Sequence, residues 1–335
     1  MSIPYVTDID PSYGNAVEVS STVRRVVANN PGRFTFTGTG TYIVGRGQVA
    51  VIDPGPEDDE HVASILSAVG GEEITHIVVT HTHKDHSPAS RALQTATGAP
   101  IYGFGGHPTP PLEAINRAKP TTWDALFPTE EELEELLKSM PSAKKGDSEH
   151  HQDEPGDMAF SPDFEVGHGD IIAGGTWTLE VVHTPGHISN HLCFGYKEER
   201  SLFSGDHVMG WSTSVIRERV GSMNEYMDSL KLLLDRDDQF FYPTHGPRIP
   251  DPINFTESLI NHRLDRENQI LQCLKSGPKT IPDLVTEMYK ETPHILHMAA
   301  GQSVFSHLVQ LVENEAILTE GDPSADGIYK PLRKS

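Results

Sequence analysis

An α/β class is predicted from three observations. Apolar runs of strand length alternate with amphipathic stretches of helix length, turn residues separate them, and polar, chemistry-bearing side chains gather just past the runs. "RFTFTGTGTYIVGRGQVAVIDPG" (33–55) reads as two strands. Phe34 and Phe36, then Tyr42 and Val44, alternate; "GRG" supplies a turn, and "VAVID" is a buried run ending at Pro54-Gly55. "EDDEHVASILSAVGG" reads as a helix whose acidic first turn suits its dipole and which Gly70-Gly71 stop. "ITHIVV" is a short buried strand. Beyond it, Ser87 is placed to cap a helix, Pro88 fits its first turn and Gly98 ends it.

Residues 120–162 depart in composition, being acidic and poor in apolar anchors, and read as a surface insertion holding one short acidic helix, with His150 and His151 as solvated loop residues. Regular structure resumes at "DIIAGGTWTLEVVHTPGH" (170–187). "HLCFGY" and "SLFSGD" follow as strands, "NEYMDSLKLLLDR" as a helix, and "DQFFYPTHGPRIPDP" as a strand ending in a proline-rich boundary. From about Ile253 the pattern becomes helical. Three helices and a terminal hairpin, "ILTEGDPSADGIYK", are the content of a winged-helix module. Two domains are therefore expected, 1–252 and 253–335.

Composition excludes several classes. The 335 residues are 36% hydrophobic and 22% charged, as in a globular chain with a real core. With 26 basic against 48 acidic residues the net charge is −22, which disfavours indiscriminate binding of nucleic acid. No apolar run approaches the roughly 20 residues that span a bilayer. "MSIPYVTDID" lacks the features of a secretory signal, and Cys193 and Cys273 lie too far apart to frame a disulfide fold, so a cytoplasmic setting is expected, with both cysteines as buried small hydrophobes.

The chemistry concentrates in "THTHKDHSPAS", where His81, His83, Asp85 and His86 fall within six residues at the end of a buried strand. Imidazoles packed this closely repel once protonated, whereas a divalent cation takes neutral imidazoles and carboxylates as ligands. His187, Asp206 and His245 each lie just past a later strand, and strand ends along one sheet edge converge. Asp53, also past a strand, is expected to orient the histidine loop or accept a ligand N–H. His183 is expected at the substrate edge or in a structural role. His191 and His207 adjoin the expected ligands in sequence without being assigned as ligands, and His76 and His107 are read as ordinary structural histidines.

The spacing His81-x-His83-x-Asp85-His86, followed in order by His187, Asp206 and His245, resembles the metallo-β-lactamase superfamily over about residues 30–250. The resemblance implies an αβ/βα four-layer sandwich. It also implies a first metal held by His81, His83 and His187, a second held by Asp85, His86 and His245, and Asp206 bridging, with Asp85 and Asp206 as the catalytic carboxylates. Two Zn²⁺ per chain are expected, with Mn²⁺ or Fe²⁺ as alternatives, and a metal-bridging hydroxide as the nucleophile. "TGTGTYIVG", "TPGHISNH", "LFSGDHVMGWSTSVI" and "PTHGP" are similar to the branch typified by β-lactamase-like protein 2, in which a winged-helix domain follows the metal domain.

That branch implies endoribonuclease-like action on single-stranded RNA. The alternative is hydrolysis of thioesters, as in glyoxalase II, or of lactones. Redox and non-catalytic metal-binding roles rank lower: the iron-containing flavin relatives carry Glu where this chain has His83, and structural zinc sites favour cysteine. The expected partners are a small ester or thioester or single-stranded RNA, no membrane, and a second copy of the chain as a homodimer.

Overall fold

The computed structural model describes residues 3–129 and 156–332. A first sheet is built, in spatial order, from β1 (Ala16–Glu18), β2 (Val23–Val27), β3 (Gly40–Val44), β4 (Gln48–Ile52), β5 (Glu73–Val78), β6 (Ile101–Gly103) and β7 (Phe164–Glu165). Its strands are antiparallel up to β4 and parallel from β4 to β7. A second sheet holds β8 (Ile171–Ala173), β9 (Thr178–His183), β10 (Leu192–Tyr196), β11 (Ser201–Gly205) and β12 (Phe240–Pro243). Only its β11–β12 pairing is parallel.

Strand periodicity decides which side chain enters which layer. Tyr42, Val44, Ala50 and Ile52 point between the sheets, against Val181, Phe194, Phe203 and Tyr242. Their neighbours Ile43, Val49, Val51 and Ile77 point the other way, onto Val62, Ile65 and Val69 of α1 (Asp59–Val69) and Leu93 of α2 (Ala89–Thr97). Asp58 caps α1 and Gly70, at φ 62°, ends it as expected. Of the later helices, α3 (Leu112–Ala118) precedes α4 (Met223–Leu234), which is tied to the second sheet's loops by Ser229 Oγ donating to Pro185 O at 2.8 Å and Tyr226 OH to His207 O at 3.2 Å. Helix, sheet, sheet and helix thus stack as four layers, the αβ/βα arrangement. No helix of the described residues is long and apolar enough to cross a membrane.

The chain divides into two compact units, one of residues 1–108, 154–214 and 225–260, the other of 109–153, 215–224 and 261–335. The second unit contains the later part of α5 (Pro252–Leu274), then α6 (Ile281–Met288), α7 (His297–Glu313) and a hairpin of β13 (Ile317–Thr319) and β14 (Tyr329–Pro331). Its core joins Ile270, Leu274, Leu284, Phe305, Leu308 and Tyr329 with Trp123 and Leu126. A capping box of Thr280 and Asp283 starts α6.

Three expectations change. Residues 33–39 form no strand: Phe36 makes only an isolated bridge to Gly32 and has φ 56°, outside the β region. Ser87 does not cap α2: its hydroxyl donates to Asp157 Oδ2 at 2.8 Å, and Pro88 starts the helix without a side-chain cap. The supposed insertion is anchored at both margins, since Trp123 and Leu126 are buried in the second unit's core and Phe160 in the first unit's. Three apolar anchors are swamped when composition is averaged over a mostly acidic segment. The expected acidic helix, His150 and His151 lie outside the described residues.

Trp123 is 1% exposed and donates its indole N–H to Ala325 O at 2.9 Å. Trp123→Ala should cost about 3–5 kcal/mol in urea unfolding of the second unit. Burial lowers the pKa of His307 on α7 to about 3, so between pH 6.5 and that value the unfolded chain binds a proton the folded chain excludes. Stability should therefore fall on acidification through this window. A His307→Leu variant should lose less stability between pH 7 and 5 than the parent, as read by denaturant midpoints.

Candidate metal centre

All the candidate ligands lie past the C-terminal ends of strands in the first unit. Asp53 follows β4; His81, His83, Asp85 and His86 occupy the loop from β5 to α2; His187 follows β9, Asp206 follows β11, and His245 follows β12. Both sheets therefore feed one edge. The loop is held open for this by its own neighbours. Asp157 accepts from Ser87 Oγ at 2.8 Å and Arg91 Nη1 at 2.9 Å, its backbone N–H donates to Thr82 O at 2.8 Å, and Asn190 Nδ2 donates to Thr82 Oγ1 at 2.8 Å.

The side chains meet in three overlapping groups whose ligand atoms lie within 4.8 Å of one another: His81, His83 and His187; His81, His86 and Asp206; and Asp85, His86 and His245. His83 Nδ1 is 2.9 Å from His81 Nε2 and 3.1 Å from His187 Nε2. His245 Nε2 is 3.2 Å from Asp85 Oδ2 and 3.4 Å from Asp206 Oδ1, and His86 Nε2 is 3.5 Å from each carboxylate. Four segments distant in sequence thus place seven groups together.

The outer ring nitrogens show which way the inner ones face. His81 Nδ1 donates to Thr80 Oγ1 at 3.0 Å, His86 Nδ1 to Asp53 Oδ2 at 2.9 Å and His245 Nδ1 to Gly38 O at 3.2 Å. Each therefore turns Nε2 inward with its lone pair. His86 Nε2, His245 Nε2 and Asp206 Oδ1 are buried and make no hydrogen bond among the described residues. Buried polar atoms left this way are costly, and a divalent cation, with nitrogen and oxygen ligands near 2.0–2.2 Å, satisfies them.

Electrostatics agree with the geometry. Burial works against a charged His86, yet the Asp85, Asp206 and Asp53 carboxylates outweigh it and raise this imidazole well above its usual pKa. His245 is raised to about 10, with burial again outweighed by Asp206 and Asp85. Asp206, despite burial, is held well below the usual carboxylate range by His245 and His86. Burial, with the His86 and His83 rings close by, pushes His81 well below its usual pKa. The centre thus has a histidine-rich end and a carboxylate-rich end that needs positive charge. Protons or metal ions can supply it.

The remaining histidines have other work. His191 Nε2 accepts from Asp206 N at 3.1 Å and so fixes that residue's backbone. His183 Nε2 donates to Ser189 O at 2.9 Å. His207 packs on Tyr226, and burial lowers its pKa to about 3. His107 contacts the loop through Thr82, and His76 packs between Tyr102 and Trp177. Both cysteines are free and buried, and burial pushes the Cys193 thiol up to about 12, so it is no nucleophile. Sequence reasoning missed Asp157, Asn190, Thr80 and Thr244. Only Asp157 carried a signal, as an acid beside the resumption of apolar sequence.

The sequence profile of the metallo-beta-lactamase superfamily matches residues 35–245, which encloses every one of these ligand candidates. The chain belongs to the metallo-beta-lactamase superfamily. It is thereby a hydrolase by descent, and the profile of the beta-lactamase-associated winged helix domain matches residues 280–326. A beta-lactamase-like protein 2 homolog of Drosophila melanogaster is 30% identical over 93% of this chain and 94% of its own length. An atrochrysone carboxyl ACP thioesterase of Claviceps purpurea is 29% identical over 85% of this chain and 78% of its own. A solved structure, that of a beta-lactamase domain protein from Burkholderia ambifaria, shares the fold at TM-score 0.70 and 18% identity, covering 97% of this chain and 96% of its own.

Asp53 is 0% exposed and accepts from Thr80 N, Thr80 Oγ1, Thr244 Oγ1 and His86 Nδ1 at 2.7–2.9 Å. Replacing it with Asn removes charge and acceptor capacity toward His86. Asp53→Asn should weaken zinc binding about 10- to 100-fold in competition with a chelator of known affinity.

Proposed function

We propose that this chain is a two-metal hydrolase of acyl thioesters. The observation that carries the reading is the seven-residue cluster, with inward Nε2 atoms on His86 and His245 and Asp206 Oδ1 buried without hydrogen bonds. His81, His83 and His187 would hold one cation, Asp85, His86 and His245 the other, with Asp206 between them. Bound divalent cations, zinc first by this donor set, would lower the pKa of an attacking water and polarise the acyl oxygen.

The chain's own residues supply the rest. Asp85 is the one ligand candidate among the four loop residues that is partly open to solvent, its side chain being 21% exposed, and its carboxyl is held far below neutrality by His86 and His245. It would stay ionised, as a metal ligand must, and from the solvent-open edge it would help pass to bulk water the proton released as water adds to the carbonyl carbon. The C–O bond forms, the C–S bond breaks, and the thiolate leaves with the electron pair. Asp206, which would lie between the two cations, is held by His191 at its N–H and by Ser214 Oγ, which donates to its carbonyl at 2.6 Å.

Thioesters are favoured over RNA by charge and by relationship. The net charge of −22 repels a polyphosphate, and residues 262–335 contain eight basic against ten acidic residues, so that region has no excess of positive charge to offer. The Claviceps purpurea relative is named as a thioesterase. Zinc-loaded protein should hydrolyse an S-acyl glutathione and leave a single-stranded RNA oligonucleotide intact; the reverse result would replace this reading with a nuclease. Asp206→Asn should reduce thioester turnover to background while its melting temperature stays close to that of the parent. Retained turnover would remove Asp206 from the mechanism.

A further inference from the structure

We propose that the stacked side chains of Phe36 and Trp211 form the acyl-group platform of this centre and select thioesters whose acyl group is a flat aromatic ring. The proposal rests on the thioesterase reading and goes beyond it, to the substrate class.

The two rings lie 4.9 Å apart at an interplanar angle of 12°. Both are partly exposed, whereas Trp123 and Trp177 are each 1% exposed. Their position is tied to the metal ligands from two directions. Gly38, two residues past Phe36, provides the carbonyl that receives His245 Nδ1 at 3.2 Å. Trp211 lies in the turn that begins at Asp206, which Ser214 Oγ pins through the Asp206 carbonyl. The residue after His245 is Gly246, at φ 92°; a Cβ there would lie 3.2 Å from Trp211 Cδ1 and 3.8 Å from Phe36 Cδ1. The rings therefore stand in contact with the backbone adjoining His245.

Packing alone does not account for this arrangement. Phe36 adopts φ 56°, a left-handed conformation that penalises a bulky side chain. Trp211 Nε1 is shielded and makes no hydrogen bond among the described residues. A strained backbone and an unmet donor are costs that persist where a site needs a particular geometry. A second pair stands by the His187 loop: Phe104, 39% exposed, stacks on His183 with centroids 4.4 Å apart at 16°. Aromatic ring faces thus border the loops that carry both His245 and His187. A saturated acyl chain would bury area against such faces, but only a planar π-system gains the offset-stacking attraction as well.

The test uses the full-length, zinc-loaded protein and two N-acetylcysteamine thioesters with equal carbon counts, S-benzoyl and S-cyclohexanecarbonyl. The ratio of their kcat/KM values, benzoyl over cyclohexanecarbonyl, should fall about fivefold or more in Trp211→Leu and recover in Trp211→Phe. An unchanged ratio in a Trp211→Leu protein with parental melting and zinc content overturns the proposal; should that variant unfold, Phe36→Leu is read the same way. A second arm needs no metal. Benzoate titrated into ¹⁵N-labelled, zinc-free protein should shift the Trp211 indole N–H resonance, and cyclohexanecarboxylate at equal concentration should not. Equal shifts, or none with either, overturn the platform. If the parent hydrolyses neither thioester, the thioesterase reading fails, and the resonance experiment alone decides the platform.

Discussion

A single buried carboxylate holds this centre together. Asp53 is completely buried, and among the described residues its charge is met by the Thr80 backbone and hydroxyl, the Thr244 hydroxyl and the His86 ring. Thr80 belongs to the histidine loop after β5 in the first sheet, and Thr244 adjoins β12 in the second. The same side chain therefore joins the two sheets at the edge where the ligand candidates gather. It also sets the His86 tautomer and, through Thr80 Oγ1, the orientation of His81. A buried carboxylate is costly unless each lone pair is satisfied, so its four donors have little freedom to move. Precision at the centre follows from that desolvation cost.

The centre's polarity is a second consequence of burial. At one end His81, His83 and His187 share closely spaced nitrogens that cannot all carry protons. At the other, Asp85 and Asp206 face His86 and His245. Metal ions suit both ends for the same reason: they bring positive charge without the hydrogen that makes neighbouring imidazoles clash. The strands around them carry apolar side chains on both faces, so little water competes for the inward lone pairs.

How much of this is legible in sequence depends on how local the information is. The loop from His81 to His86 is compact enough to be read directly, and strand-terminal His187, Asp206 and His245 follow because strand ends converge. Phe36 misleads, because alternation of Phe34 and Phe36 copies a strand where the chain turns. The anchors Trp123, Leu126 and Phe160 are hidden in a segment whose average is acidic. Ser87 looks like a helix cap because nothing nearby in sequence reveals Asp157 as its acceptor.

The sequence by itself determined the α/β class, the strand-to-helix position of the histidine loop, the helical and hairpin content of the C-terminal region, and the residue types available for metal chemistry. These are properties of short-range periodicity and side-chain chemistry. Only the tertiary structure decided which ring nitrogen faces inward, which threonines serve Asp53, that His191 steadies a backbone, and that residues 109–129 pack with the second unit. Apart from the adjacent Thr80–His81 contact, each depends on a partner between 15 and 207 residues away, brought close by sheet pairing and core burial rather than by any local pattern.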